Sequence, residues 1–260
     1  MTTVQSQDGT VIAYDKSGSG LPVVLVCGGS VDHTSNAPLA EHLAPHFTVY
    51  NYHRRGRGNS GDTQPYAVDR EVEDIAAVIQ AAGASAYLYG SSSGAALALE
   101  ATRQLTGQVK KLALWEPPYF ADESLPRPPA DTAETFQRLV AEGRRGDAAE
   151  FFMAKVVGLP PEFVGFARSQ PWWANQEALA HTLAYDATIM GDYLIPTGRV
   201  ATVKTPTIVM TGGASFGFMS QTANVLAQIM PDARHHVIEG QEHNIAPEAL
   251  APVLIEFFTN

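Results

Sequence analysis

One stretch, Tyr87-Leu88-Tyr89-Gly90-Ser91-Ser92-Ser93-Gly94-Ala95-Ala96-Leu97-Ala98-Leu99, constrains this chain more than any other. A short apolar and aromatic run ends at Gly90, and an Ala/Leu-rich run of helical character begins at Ser93. Between them, residues 90–94 read G-x-S-x-G. A chain that passes from strand to helix in so few residues doubles back sharply. It needs glycine on both sides, because side chains there would collide with the neighbouring strand and helix. The turn lifts the Ser92 hydroxyl above the sheet. The helix behind it aims its partly positive N-terminus at the place where negative charge would develop during attack by that hydroxyl.

The rest of the chain supplies the sheet this turn requires. Apolar runs over 22–27, 47–52 and 109–115 read as strands, and 22–27 has the continuous apolar character of a strand buried on both faces. An alternating segment over 10–16 is a further strand. Helical spacing appears over 35–44, 68–82 and 93–105. From Glu116 to about Arg199 the chain is proline-punctuated and helical, with helices expected over 135–142, 148–157 and 176–190. Strands over 206–210 and 235–238 then alternate with helices over 221–230 and 249–258. Strands alternating with helices predict an α/β fold with a mostly parallel central sheet flanked by helices. Residues 1–116 and 200–260 form its core, and residues 117–199 form a helical cap or lid. That insertion falls on the side where strand C-termini open, which is where such sheets bind ligands.

Charge narrows the partners. The 17 Lys and Arg against 27 Asp and Glu give a net charge of −10, which repels polyanions. The one basic stretch, Arg54-Arg55-Gly56-Arg57, is too short for a nucleic-acid surface. No run of 18 apolar residues suggests a membrane span, and residues 1–5 show no leader character. The single cysteine, Cys27, rules out an internal disulfide and fits a reducing, cytoplasmic setting.

A serine attacking a carbonyl needs donors for the oxyanion and a base. The first donor is the backbone N–H of Ser93. The second comes from the loop after the early apolar strand and is assigned to Gly29, with Gly28 as the fallback. The base is His243, which follows the last strand and precedes the last helix. His33 and Ser30 stand just beyond the oxyanion loop as substrate contacts. His42, His46 and His181 read as structural, and His235 and His236 face opposite ways on a strand, which disfavours a joint metal site. Tyr119, Phe120, Trp172, Trp173 and Met190 are candidate walls of an apolar pocket. Met153 reads rather as part of the core of the insertion. No metal and no cofactor is expected.

These segments resemble the α/β-hydrolase family. Cys27-Gly28-Gly29 takes the place of its His-Gly-x loop. Tyr52-His53-Arg54-Arg55-Gly56-Arg57-Gly58-Asn59-Ser60-Gly61 looks like its Asp-x-Arg-Gly-x-Gly-x-Ser turn, and the elbow and Gly240-Gln241-Glu242-His243 complete the match. Two departures stand out: His53 where the turn usually has Asp, and Ser91 where His is frequent. The resemblance implies a Ser–acid–His triad with its acid in the loop after the strand that follows the cap. Here that loop, residues 211–218, holds no carboxylate, and Ser215 stands about where the Asp would be. Glu116, directly after the strand over 109–115, is the carboxylate available at the same crevice. The zearalenone lactonases look similar in this respect. The expected triad is therefore Ser92–His243–Glu116, with Asp186 and Asp192 as weaker substitutes for the acid. The expected substrate is a neutral, fairly apolar ester or lactone. Two alternatives remain open at this point: cofactor-free haloperoxidase or C–C hydrolase chemistry on the same triad, and a non-catalytic small-ligand-binding member.

Overall fold

A computed structural model describes residues 1–260. Eight strands form one sheet: β1 (Thr2–Gln5), β2 (Val11–Gly18), β3 (Pro22–Val26), β4 (Thr48–Tyr52), β5 (Ala86–Ser91), β6 (Val109–Trp115), β7 (Thr207–Gly212) and β8 (Ala233–Ile238). Their spatial order is β1-β2-β4-β3-β5-β6-β7-β8. The pairs β1–β2 and β2–β4 are antiparallel, and every pair from β4 across to β8 is parallel. The expected α/β architecture with a mostly parallel sheet is thus the observed one. Strand β1 was not anticipated. It is a short, largely exposed edge strand, so it carries no apolar pattern to read.

Helices cover both faces. On one side lie α1 (Ala37–Leu43) and, at the end of the chain, a helix over Pro247–Thr259, packed on Val23, Leu25, Trp115 and Met210. On the other lie α2 (Val68–Ala81) and α3 (Ser93–Gln104), packed on Val24, Val26, Leu88 and Leu114. Helix α2 buries Val72, Ile75, Val78 and Ile79 along one stripe, as its spacing predicts. Helix α3 is buried almost all round, which explains its alanine content: it lies too close to the sheet for large side chains. A Cβ on Gly94 would stand 2.3 Å from the Cys27 carbonyl oxygen, and one on Gly90 would stand 2.4 Å from that of Gly94. The two glycines of the motif are therefore contact points between backbones.

Between β6 and β7 the chain is helical: α4 (Thr132–Ala141), α5 (Arg145–Phe151), a π-helical turn (Phe152–Val157), α6 (Pro161–Arg168), α7 (Trp173–Leu179), α8 (Leu183–Met190) and α9 (Thr197–Val200). Helices α10 (Gly217–Ile229) and α11 (Pro247–Thr259) follow β7 and β8. The helix expected over 148–157 changes at Phe152 into a π-helical turn that ends at left-handed Gly158. The helix expected over 176–190 is broken by a 3₁₀ turn at Ala180–Thr182. Helix α6 was not anticipated, because the prolines at its start read as punctuation; Pro161 in fact occupies its first turn, where a missing N–H costs nothing. The insertion has apolar clusters of its own, one around Phe136, Leu139 and Leu183 and another around Met153, Val164 and Trp173. No helix of the chain is long and apolar enough to cross a membrane.

The glycine geometry gives a test with opposite signs. Gly94→Ala forces a methyl into the Cys27 carbonyl and should destabilise by about 1–3 kcal/mol or more. Gly165→Ala, inside α6 with open space around its Cα, should stabilise by roughly 0.5–1 kcal/mol. Denaturant midpoints of the two variants against the parent check both.

Candidate active site

Ser92 sits at the tip of the turn with φ 54° and ψ −129°, a backbone conformation that costs a non-glycine residue about 1–3 kcal/mol. The ladder runs directly into it: Ser91 pairs with Trp115, and the Ser92 N–H donates to the Trp115 carbonyl at 2.8 Å. Ser93 opens α3, so its N–H is among those for which the helix itself offers no acceptor.

The residue after Trp115 is Glu116, which is fully buried and also held at positive φ, 43°. Its N–H continues the ladder to the Met210 carbonyl at 3.0 Å. Its carboxylate is held from two sides. The Gly212 N–H donates to Oε1 at 2.8 Å, and the Ser215 hydroxyl donates to Oε2 at 2.9 Å. His243 Nδ1 lies 2.6 Å from the same Oε2. A carboxylate at that nitrogen makes Nδ1 the protonated one and leaves Nε2 as the acceptor on the far side of the ring. Trp115 Nε1 donates to the His243 carbonyl at 2.9 Å, fixing the backbone of the same residue. Ser215, in the loop after β7 where a carboxylate would be expected, thus holds the carboxylate that comes from β6.

Two cavities meet at Ser92, His243 and Gly29. The inner one, of about 100 Å³, is walled mainly by apolar side chains, among them Phe120, Phe136, Phe152, Leu183, Met190 and Phe218. The outer one, of about 860 Å³, adds polar groups such as Ser30, Asn36, Gln176 and Asn244. The π-helical turn contributes Phe152 and Val157 to both. Along α8, Leu183, Asp186, Ala187 and Met190 all face the inner cavity at i, i+3, i+4 and i+7 spacing. The sequence hid that face because α8 is apolar nearly all round; the lone Asp186 within it was the available signal.

Of the residues expected at the site, Ser92, Gly29 and His243 line both cavities. Ser93, Phe120 and Met190 line the inner one, and Gly28 and Ser30 the outer one. Four expected substrate contacts are corrected. His33 lines neither cavity; its ring stacks on that of His53, 3.3 Å between centroids. Tyr119 is packed into the main core, since its neighbour Phe120 takes the cavity-facing direction. Trp172 is 40% exposed and lines neither cavity, and Trp173 fills the core of the insertion with its Nε1 on Glu177. Met153, expected to belong to that core, does so and also borders the outer cavity.

Beneath the site lies a cluster of buried ions. Arg54 forks onto Glu71 with both contacts at 2.8 Å and donates to Asp186 Oδ1 at 2.8 Å. Arg57 donates to Asp186 Oδ2 at 2.7 Å. Burial raises the Asp186 pKa, but the charges of Arg57 and Arg54 and the donated hydrogen bonds outweigh it and hold the carboxyl below the usual range. Arg55 forks onto Asp74 at 2.7 Å. None of the three arginines is more than 2% exposed, so the stretch 54–57 presents no basic surface.

Asp15, His33 and His53 bring three potential metal ligands within 4.8 Å, yet their chemistry does not suit a metal. The His rings are parallel within 10°, so their lone pairs cannot converge. The Asn59 N–H can only donate, at 3.1 Å, to His53 Nδ1; the proton of a neutral His53 is therefore on Nε2, facing Asp15 at 3.7 Å. Burial first, and then the neighbouring His33, push the His53 pKa below 6.5, against the opposing pull of Asp15 and Asp32.

With this geometry in place, the family follows. The chain belongs to the alpha/beta hydrolase family, whose model matches residues 23–253. An alpha/beta hydrolase from Sphaerobacter thermophilus is 53% identical, with a TM-score of 0.93 over 99% of this chain and 100% of that one. A thermophilic esterase from Thermogutta terrifontis, 21% identical, shares the fold at a TM-score of 0.76 over 99% of this chain and 97% of that one. The uncharacterized hydrolase YraK of Bacillus subtilis is 34% identical over 113 residues, a match that spans only 42% of this chain and 42% of that relative's length.

The His53 environment gives a pH dependence. Its folded pKa lies below the unfolded value near 6.5, so between the two the unfolded chain binds more protons. Stability should therefore fall as pH drops below 6.5 toward the folded value, and should be flat in this contribution above 6.5. His235, also lowered, by burial and His236, shares the window. His53→Gln should lose less stability than the parent between neutral pH and about pH 5, measured as the shift in urea midpoint.

Proposed function

We propose that the protein is a serine hydrolase that cleaves a neutral, fairly apolar carboxylic ester or lactone through an acyl-enzyme on Ser92. The observation that carries this reading is the buried Glu116 carboxylate 2.6 Å from His243 Nδ1, with a strained Ser92 and the same His243 lining common cavities. In this reading Ser92 Oγ attacks the carbonyl carbon while His243 Nε2 takes its proton. The N–H groups of Gly29 and Ser93 receive the oxyanion. As the carbonyl re-forms, the leaving alkoxide departs with the proton from His243. A water then repeats the sequence with His243 as base, releasing the acid and free Ser92. Glu116 stays ionised throughout. It fixes the tautomer of His243 and offsets the charge of the imidazolium, which the Ser215 hydroxyl alone could not do.

The apolar inner wall supports an apolar substrate. The one charged side chain there besides the histidine, Asp186, is neutralised by Arg54 and Arg57. The residues 117–199 act as the cap: they close over Ser92 and supply most of that wall. Glu116 also answers the absence of a carboxylate after β7, which was the feature that favoured a non-catalytic ligand-binding protein.

A fluorophosphonate probe should label Ser92 and fail to label Ser92→Ala, with hydrolysis of simple esters lost in parallel. Glu116→Gln should fold normally, keep KM within a few-fold, and lose about 10⁴ in kcat. A Glu116→Gln enzyme with near-parental turnover removes Glu116 from the triad.

A further inference from the structure

We propose that Asp186 of α8 is a positioning residue that sets the oxyanion donors, acting through Arg57 and Ser93. The proposal rests on the reading of Ser92 as nucleophile. Its physical basis is the planarity of the peptide group. The Gly28 carbonyl and the Gly29 N–H belong to one trans peptide unit and point in opposite directions. Whatever grips the Gly28 oxygen therefore aims the Gly29 N–H. Arg57 Nη1 does so, donating to the carbonyls of both Gly28 and Val31. Drawing electron density from the carbonyl also strengthens the N–H of the same unit as a donor.

Arg57 is in turn placed by Asp186, whose Oδ2 accepts from Nη2 at 2.7 Å. The other oxygen of the same carboxylate accepts from Arg54, which also donates to the Cys27 carbonyl at 3.2 Å, and from the Ser93 hydroxyl at 2.8 Å. Ser93 is the residue that offers the other oxyanion N–H. One carboxylate thus ties together both donor-bearing segments, the loop after β3 and the first turn of α3. A Cβ on Gly29 would stand 3.2 Å from Asp186 Oδ2, so the loop fits closely against it. A second tie runs from α7: the Ser30 hydroxyl donates to Gln176 Oε1, and Gln176 Nε2 donates to the Ser30 carbonyl at 3.3 Å. A bare carboxylate so close would oppose an oxyanion. The two guanidiniums cancel that effect, so what Asp186 contributes is geometry.

The test separates positioning from folding and from the hydrolase reading. Fluorophosphonate labelling of Ser92 in the parent protein comes first; an unlabelled Ser92 removes the nucleophile and the proposal with it. With labelling intact, p-nitrophenyl butyrate hydrolysis is measured alongside inhibition by butyl trifluoromethyl ketone, which forms an oxyanion adduct, and by butyl methyl ketone, which does not. Asp186→Asn should lower kcat about ten- to a hundredfold with KM within about threefold. It should weaken the trifluoromethyl ketone by the same factor as kcat/KM and leave the methyl ketone unchanged. If Asp186→Asn does not fold, Arg57→Lys keeps the charge but loses the fork that links Asp186 to Gly28, and it carries the same expectation. Ser93→Ala, which removes only the hydroxyl link, should show the same pattern to a smaller extent. Folded variants with unchanged kcat, or with equal losses for both ketones, overturn the proposal.

Discussion

The parallel register of β5 on β6 is the constraint on which the site depends. Ser91 faces Trp115 across the ladder, and the Ser92 N–H is bonded to the Trp115 carbonyl. A serine at the end of one strand and a glutamate at the end of the next are therefore neighbours by covalent geometry and hydrogen bonding alone. Both leave the sheet at positive φ, because each chain must turn away at the point where it presents a side chain to the crevice. The strain is supported by what surrounds it. Gly94 lets α3 lie against the Cys27 carbonyl. A Cβ on Gly212 would stand 2.1 Å from the Gln241 carbonyl oxygen, so β7 lies directly against that loop. This second approach brings the loop of His243 over the sheet toward Glu116.

The buried ions fix how the helical insertion meets this sheet. Taking Arg54, Arg57, Glu71 and Asp186 out of water costs several kcal/mol per ion, and close pairing offsets most of that. A cluster of apolar residues would hold the insertion about as strongly. It would not hold it in one register, because an apolar contact tolerates sliding, whereas a carboxylate with Arg54, Arg57 and Ser93 as its donors does not. The same helix lays Leu183, Ala187 and Met190 along the inner cavity, so fixing Asp186 also fixes the shape of the apolar wall.

Most of the sheet was legible because each of its central strands carries its own signal. Val23 to Val26 are fully buried, and their continuous apolar run is the direct imprint of that burial on the sequence. That Ser92, Glu116 and His243 come together was legible because the first two directly follow strand ends and the third lies in the loop after the last strand, where the architecture restricts what a polar residue can do. The insertion was less legible. Its helices are short, a π-helical turn interrupts one of them, and of its tryptophans Trp173 serves the insertion's own packing while Trp172 is exposed, so neither lines the cavities. Trp172 and Trp173 illustrate why: an aromatic residue near an active site in sequence carries no information about which side of its helix faces inward. Arg54, Arg55 and Arg57 illustrate the opposite failure. Three cations in four residues look like surface, and only the tertiary placement of Glu71, Asp74 and Asp186 shows that they are interior.

The placement of the Glu116 carboxylate against His243 follows from distances within the sheet. His243 comes from the loop after β8, and an acid after β7 would be one strand from it. A carboxylate after β6 is two strands from β8, with neighbouring strands about 4.8 Å apart, and it starts beside Ser92 instead. The extra methylene of glutamate over aspartate suits that longer reach. The vacated position after β7 then has to be filled by something that does not repel the carboxylate arriving from β6. A second aspartate there would place like charges in contact and force one of them to take up a proton. Ser215 is small, neutral and a donor, and with the Gly212 N–H it supplies hydrogen bonds that a buried carboxylate requires. The serine in the loop and the glutamate on the neighbouring strand are thus one arrangement: each is the residue type that the other makes necessary.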